Sequence, residues 1–224
     1  MSASNVKTNS LPEAVIFDMD GVLVESEPYL RVAGVKVFEE LGLQVQGEDF
    51  KPFIGTGEDR YLGGVAETYN FPLDTGIAKK RLYEIYFEML DGKLEPLNGV
   101  VDFVHTCKRM NKKIAVASSA DLPKIIFNLR NIGLEKDFDA IVSGDDVEKK
   151  KPDPSIFLLA AKKLGIDIAR CLVVEDAISG VQAAKSAGSK CLGLTTSFSA
   201  DALSKADWIA PDLSDVDPQV LNWK

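Results

Sequence analysis

The chain has 224 residues, 46% of them hydrophobic, which is enough for a packed core formed by one domain with a large insertion. Asp and Glu number 34 against 26 Lys and Arg, and the net charge of −8 argues against nucleic acids and anionic membranes as partners. A single histidine, His105, excludes zinc sites that need two or three His ligands. The chemistry therefore has to come mainly from carboxylates, hydroxyls, lysines and a hard metal ion.

The N-terminus and the cysteines indicate the compartment. Residues 1–10 are polar and predict a disordered segment with no signal peptide. Cys107, Cys171 and Cys191 have no CxxC spacing and lie beside apolar residues, which predicts buried free thiols in a reducing compartment. No apolar run reaches the roughly 18 residues of a membrane helix. We expect a cytoplasmic protein, monomeric by default, with no membrane or nucleic-acid partner.

Short apolar runs that end in polar residues recur along the chain, with helical spacing between them. They are AVIF at 14–17, KIAVASS at 113–119, AIVSGDD at 140–146, CLVVEDA at 171–177 and KCLGLTT at 190–196. This alternation of strands and helices predicts an α/β fold with a Rossmann-like parallel sheet. Asp153-Pro154 and Gly165 supply a start and a stop signal for one of the intervening helices.

Residues 28–92 interrupt this alternation. They contain three helical stretches, YLRVAGVKVFEELG, DRYLGGVAETYN and TGIAKKRLYEIYFEML, and no run of the core-strand type. We therefore predict an α-helical cap at 28–92, inserted into a core that consists of residues 11–27 and 93–224. The hinges between cap and core are expected near residues 24–28 and 94–98.

Polar side chains follow four of the predicted strands, at the edge of the sheet where α/β proteins bind ligands. They are Asp18 and Asp20, Ser118 and Ser119, Asp145 and Asp146, which we leave out of the metal site, and Glu175 and Asp176. Lys151 lies directly before a predicted helix and is expected at the same edge. Neighbouring carboxylates repel each other unless a cation lies among them, and a few carboxylates with water are the ligands of Mg²⁺. The sequence therefore predicts a Mg²⁺ site at this edge.

Four stretches resemble, in order, the motifs of the haloacid dehalogenase-like (HAD) hydrolase superfamily: FDMDGVLVESE, AVASSAD, KKKPDPSIF and VVEDAISGVQAAKSAG. The resemblance covers residues 14–188 and is specific, because residue type, order and spacing agree at four separate places. The inserted cap is similar to that of the β-phosphoglucomutase-like subgroup of phosphatases. The resemblance implies an enzyme that hydrolyses phosphoric monoesters and uses Mg²⁺ as its cofactor.

The resemblance also implies a role for each matched residue. Asp18 would be the nucleophile that forms an aspartyl-phosphate, and Asp20 would be the general acid and then the general base. The residues that bind the phosphoryl group would be Ser118, Ser119 and Lys151. The metal ligands would be Asp18, Asp20 through its backbone carbonyl, Glu175 directly or through water, and Asp176.

One loop of the cap is a candidate for substrate contact. Thr56, Gly57 and Arg60 lie in or next to the Gly-rich stretch IGTGEDR. Such a stretch is equally typical of a plain turn between helices.

The residues of the cap also help to decide between the leading function and its alternatives. Mutases of the subgroup bind a second phosphate with basic cap residues and carry a His near the hinge, whereas this chain has Leu30 and Glu58 near those places. The leading prediction is hydrolysis of a small phosphorylated metabolite, such as a sugar phosphate. A phosphosugar mutase stays open if Arg60, Lys79 or Arg81 binds the second phosphate. The third possible function is that of a non-catalytic HAD-fold sensor or partner-binding module.

Overall fold

A six-stranded parallel sheet forms the centre of the computed structural model, which describes residues 11–223. The strands are β1 (Ala14–Phe17), β2 (Lys113–Ala117), β3 (Ala140–Val142), β4 (Cys171–Glu175), β5 (Lys190–Leu194) and β6 (Trp208–Ala210), in the order β3-β2-β1-β4-β5-β6. This confirms the predicted α/β fold. The sequence did not predict β6, because a three-residue strand at the sheet edge gives little pattern to read. The segment 1–10, expected to be disordered, lies outside the described residues.

The sheet is apolar on both faces, which explains why β1 and β4 read as continuous apolar runs. Val15 and Phe17 belong to one hydrophobic cluster, and Ala14 and Ile16 belong to another on the opposite face. Burial of one large apolar side chain contributes roughly 1.5–3 kcal/mol. Helices α4 (Val100–Arg109) and α5 (Leu122–Asn131) cover the first face, and α6 (Ser155–Leu164) and α7 (Ile178–Ala187) cover the second.

Three helices occupy the segment between β1 and α4, and we call them the cap below. They are α1 (Glu27–Glu40), α2 (Glu58–Thr68) and α3 (Thr75–Leu90), with a 3₁₀ turn at Gly47–Phe53 between α1 and α2. Their own aromatic core includes Phe50 and Tyr61, whose ring centroids are 4.8 Å apart. The helices lie where the 3.6-residue periodicity predicts them, because each buries an apolar stripe against the others.

The chain leaves the core and returns to it at one place. Val24 and Pro96 form an antiparallel bridge, and the Leu97 backbone N–H donates to the carbonyl of Leu23 at 3.0 Å. Both expected hinge segments contain residues of this pairing.

Side chains of α3 in the cap contact side chains of α5 in the core. The rings of Phe87 and Phe127 are stacked with centroids 4.4 Å apart. The Tyr86 hydroxyl donates to Asn128 Oδ1 at 2.9 Å inside this contact. The cap therefore contacts the core helix that follows β2, near the carboxyl ends of the strands.

Two expectations from composition can be compared with the structure. Cys107, Cys171 and Cys191 are buried free thiols, as predicted. Among residues 11–223, no helix combines the length and the apolar character needed to cross a bilayer.

Candidate active site

The carboxyl ends of β2, β1 and β4 lie side by side, because β1 is the strand between the other two. Asp18 follows β1, Ser118 follows β2, and Glu175 is the last residue of β4; all three are buried. Lys151, in the loop before α6, connects them. Its Nζ donates to Asp18 Oδ1 and to Glu175 Oε1, both at 2.6 Å, and to the carbonyl of Ala117 at 3.3 Å.

Three acids form a cluster that fits a divalent cation. Asp18, Glu175 and Asp176 each offer a carboxylate oxygen, and these oxygens lie within 4.8 Å of one another. Burial raises the pKa of Asp18 to about 7, although the charge of Lys151 opposes this. Burial and the charge of Glu175 also raise the pKa of Asp176 well above its usual range. A concentration of hard oxygen ligands that repel one another is the donor set expected for Mg²⁺.

Two glycines make room for this cluster. A Cβ at Gly21, whose φ is +77°, would collide with the carboxylate of Asp176, and a Cβ at Gly180 would collide with that of Glu175. The other oxygen of Glu175, Oε2, accepts the backbone N–H groups of Asp176 and Ala177 at 2.9 and 3.0 Å. The backbone therefore determines where the acids point.

The side chain of Asp20 is not part of the acid cluster. Its Oδ1 accepts a hydrogen bond from the Ser26 hydroxyl, and its Oδ2 accepts one from Lys124 Nζ at 2.8 Å. The carboxylate therefore faces the hinge and α5. A metal contact through the backbone carbonyl of Asp20, as the resemblance implies, does not involve this side chain.

Lys124 and Glu58 are buried charges that the sequence analysis did not assign to the site. The side chain of Lys124 is 2% exposed, and its Nζ lies 3.5 Å from Glu58 Oε1 on the cap. Burial alone would lower the pKa of Lys124, but the charges of Asp20 and Glu58 outweigh it and raise the pKa. Helical spacing carries a signal for this position, because Lys124 and Asn128 are four residues apart and both are buried.

The two serines have different surroundings. The Ser118 hydroxyl accepts the backbone N–H of Ala120 at 3.2 Å. The Ser119 hydroxyl is buried and has no hydrogen-bond partner among residues 11–223. Buried hydroxyls are normally paired, so Ser119 has a free donor for a ligand oxygen.

A cavity of about 790 Å³ lies between the core and the cap. The core contributes most of the predicted site, namely Asp18, Asp20, Ser118, Ser119, Lys151, Glu175 and Asp176. The cap and hinge contribute Glu25, Glu27, Leu30, Arg31, Lys51, Phe53, Ile54, Gly57, Glu58 and Tyr61. A ligand held here would meet charged groups at the core and a mixed polar and apolar wall at the cap.

The predicted cap contacts are only partly found at the cavity. Gly57 lines it, whereas Thr56 and Arg60 are not among the lining residues. The Thr56 hydroxyl donates to the carbonyl of Phe53 at 2.6 Å, and Arg60 is paired with Glu67 at 2.7 Å. In this structure local partners bind the polar groups of Thr56 and Arg60, and a role of these two residues in substrate contact stays a prediction.

The other basic residues considered for a second phosphate also have partners elsewhere. Lys79 is paired with Asp59 and with Asp121, at 2.9 and 2.8 Å. Arg81 forms a two-pronged ion pair with Glu40, with both distances at 2.8 Å. The cap-side cations that do line the cavity are different ones, Arg31 and Lys51, and Lys51 is also paired with Glu48.

Comparison with known proteins places these features in a family. The family model described as haloacid dehalogenase-like hydrolase matches residues 12–188. Protein SUPPRESSOR OF QUENCHING 1, chloroplastic, from Arabidopsis thaliana is 47% identical over 200 residues, which are 86% of this chain but only 19% of that protein. The chain therefore corresponds to about a fifth of that relative.

Two further relatives match over most of their length. The Phosphorylated carbohydrates phosphatase of Thermotoga maritima is 36% identical over 176 residues, which are 79% of this chain and 82% of that protein. The crystal structure of a CbbY variant from Rhodobacter sphaeroides with xylulose-(1,5)bisphosphate superimposes with a TM-score of 0.85 at 26% identity. That alignment covers 95% of this chain and 100% of the other.

Proposed function

The chain belongs to the haloacid dehalogenase-like hydrolase family, and we propose that it is a Mg²⁺-dependent phosphatase that acts on a small phosphorylated metabolite, such as a sugar phosphate. The observation that carries the proposal is the Asp18 carboxylate, hydrogen-bonded by Lys151 beside an acid cluster and facing a cavity of about 790 Å³. The names of the relatives, one of them a phosphatase of phosphorylated carbohydrates, support the substrate class.

In the first step, an oxygen of Asp18 attacks the phosphorus atom, and the bond from phosphorus to the leaving oxygen breaks. A carboxylate is a nucleophile that needs no activating base once it is ionised. Lys151 neutralises charge on Asp18 and on the phosphoryl oxygens, and Ser118 and Ser119 donate hydrogen bonds to them. Asp20 gives its proton to the leaving oxygen, and the product is an alcohol with an aspartyl-phosphate on Asp18.

In the second step, water attacks the phosphorus atom of the aspartyl-phosphate. Asp20, now a carboxylate, accepts a proton from the water, and the bond between phosphorus and the Asp18 oxygen breaks. Inorganic phosphate leaves, and both acids return to their starting states. The cap shields the cavity from bulk water during these steps, so that electrostatic stabilisation is stronger than it would be in water.

The metal ion would be held by Asp18, Asp176 and the backbone carbonyl of Asp20, with Glu175 bound directly or through water. A bound Mg²⁺ supplies positive charge that keeps Asp18 ionised and stabilises charge on the phosphoryl group.

A phosphatase screen tests this function. Sugar phosphates, nucleotides and bisphosphates are incubated with the protein, with and without Mg²⁺, and released inorganic phosphate is measured. The Asp18→Asn variant serves as the matched control, because it keeps the shape of the side chain and removes the nucleophile. We expect release that depends on Mg²⁺ and on Asp18.

The same screen decides between the alternatives. Conversion of a bisphosphate to an isomeric monophosphate with little free phosphate would support the phosphosugar mutase, for which Arg31 and Lys51 are the cations at the cavity wall. Absence of turnover over the whole panel would favour the non-catalytic module. The cytoplasmic location stays a prediction, and one relative is chloroplastic by name.

A further inference from the structure

Both carboxylate oxygens of Asp20 are bound by other residues of the chain. Ser26 at the hinge donates to Oδ1, and Lys124 on α5 donates to Oδ2 at 2.8 Å. Asp20 lines the cavity, but its two oxygens are directed toward these partners, so aiming one of them at a leaving oxygen means weakening or releasing one of the two bonds. Some element of the protein therefore determines when, and at what energetic cost, Asp20 turns.

Lys124 is suited to this task by its position. It is almost completely buried, so its ammonium group needs an acidic partner at all times. Loss of one partner is tolerable only if another carboxylate is within reach. Glu58 Oε1 lies 3.5 Å from the same Nζ and comes from the cap.

The carboxylate of Glu58, in turn, lacks a full set of hydrogen-bond partners among the residues described. Its side chain is 3% exposed, and its second oxygen, Oε2, has no hydrogen-bond partner among residues 11–223. It follows Gly57, which lies against the core: a Cβ there would be 3.5 Å from the carbonyl oxygen of Ser119. Glu58 therefore reaches Lys124 because the cap is docked on the core.

We propose that Lys124 is a positioning residue for Asp20 and that Glu58 is the second acceptor that lets it act. With the cap docked, the ammonium group of Lys124 lies between two carboxylates. When Asp20 turns to the leaving oxygen, Lys124 shifts toward Glu58 and never becomes an unpaired buried charge. Docking of the cap and positioning of the general acid are thereby coupled. This inference rests on the proposed function, because it assigns a role within the same reaction.

The cap and core share a second ion pair that lacks this connection. Lys79 on α3 is paired with Asp121 on the core at 2.8 Å, and its other partner, Asp59, belongs to the cap. Neither atom of this pair contacts Asp20. Lys79→Met therefore weakens the docking of the cap in a similar way to Lys124→Met, but leaves Asp20 in place. It is the matched control.

The test uses two esters that differ in their need for a general acid. A 4-nitrophenyl phosphate releases a stable phenolate, whereas an alkyl phosphate, such as a sugar phosphate found in the screen, needs a proton on its leaving oxygen. The parameter is kcat/KM, because it reports the steps up to phosphoryl transfer to Asp18 and not the later hydrolysis. General acid catalysis contributes about 10²–10⁴-fold, and imperfect positioning forfeits part of this.

We expect Lys124→Met to lower kcat/KM by roughly 10–100-fold for the alkyl ester and by less than about threefold for the aryl ester. Lys79→Met should change both values by the same small factor. Glu58→Gln should show the pattern of Lys124→Met in weaker form. The double variant Lys124→Met with Glu58→Gln removes the buried charge that Lys124→Met leaves behind, and it serves if the single variant does not fold.

Equal losses for the two esters, or no loss, would overturn the inference and leave the phosphatase intact. The same holds if Lys79→Met reproduces the difference between the esters, since cap docking alone would then explain it. A wild-type protein that hydrolyses neither ester with Mg²⁺ would overturn the proposed function, and the role of Lys124 with it.

Discussion

The sheet edge and the cap wall face each other across one cavity, but they acquire their side chains in different ways. At the sheet edge, Phe17 pairs with Val116 on one side and with Val174 on the other, so the residues that follow these strands are level. At the cap, the side chains come from two helices, a 3₁₀ turn and the hinge, which share no register. In the sheet, strand register makes the location of a side chain predictable from its position in the sequence. In the cap, that location depends on how each helix packs, which the sequence pattern does not reveal.

The largest expected effect is at the sheet edge. Asp18→Asn removes the nucleophile and should lower kcat by roughly 10⁶-fold, the size of effect that loss of a covalent nucleophile has in other enzymes. Phosphate release from the best substrate of the screen measures it, together with acid-stable labelling of the protein by ³²P-substrate, which the variant should lack. Turnover by the variant within tenfold of wild type would show that Asp18 is not the nucleophile.

The second effect concerns Asp20, which follows β1 in the core and is hydrogen-bonded by Ser26 at the hinge to the cap. Asp20→Asn cannot donate or accept the proton and should lower kcat for an alkyl phosphate by about 10²–10⁴-fold, while KM changes little. Steady-state kinetics measure both parameters, and circular dichroism checks the fold. If the variant hydrolyses this ester at the wild-type rate, the role of Asp20 as general acid and base is wrong.

The third effect lies in the cap and compares two adjacent glycines of α2. A Cβ at Gly64 would overlap the ring of Phe53, which lines the cavity, whereas a Cβ at Gly63 comes no closer than 3.5 Å to Thr75 Cγ2. Gly64→Ala should lower the free energy of unfolding by about 1–3 kcal/mol through overpacking. Gly63→Ala should be neutral or should raise it by up to about 1 kcal/mol, because Ala favours helix.

Urea unfolding of both glycine variants measures this difference, and kinetics extend it to function. Displacement of Phe53 should raise KM in Gly64→Ala more than it lowers kcat, because the cap wall contacts the part of the substrate that does not react. Equal stability of the two variants would contradict the packing of Phe53 described above.

The last expected effect, which concerns stability and not turnover, is a change in the pH dependence of stability at the hinge. Burial raises the pKa of Glu27 from its ordinary value of 4.5 to about 7, although a hydrogen bond from Tyr61 and the charge of Lys124 oppose this. The folded state thus binds the proton more tightly than the unfolded state. The stability that Glu27 contributes is complete below pH 4.5 and is lost as the pH rises to about 7.

Glu27→Gln tests this sign, because glutamine does not ionise. The free energy of unfolding of the variant should fall less than that of wild type between about pH 5 and about pH 8. Urea titrations at several pH values measure the two slopes. Parallel slopes would mean that Glu27 does not titrate in this range in the folded protein.

The sequence predicted the fold and the core half of the candidate site because both follow from local pattern. Alternating apolar runs predict the parallel sheet, and the acids directly after them, such as Asp18 and Asp176, have to meet at its edge. Which cap residues reach the cavity depends on which charged side chains form ion pairs with each other. Arg60 was a natural candidate by its loop, but Glu67 binds it seven residues further on. Lys124 and Glu58 lie 66 positions apart in the chain, and only tertiary packing brings them together.

The pairing of Val24 with Pro96 has a consequence for how such a protein diversifies. Because the segment between them enters and leaves the core at one point, its ends stay together whatever its length or sequence. An insertion, deletion or exchange within that segment leaves β1, β2 and the acids behind them in register. The residues of the sheet edge can thus stay in place while the cap is exchanged, and grafting the segment from a relative onto this core would test whether the cap selects the substrate.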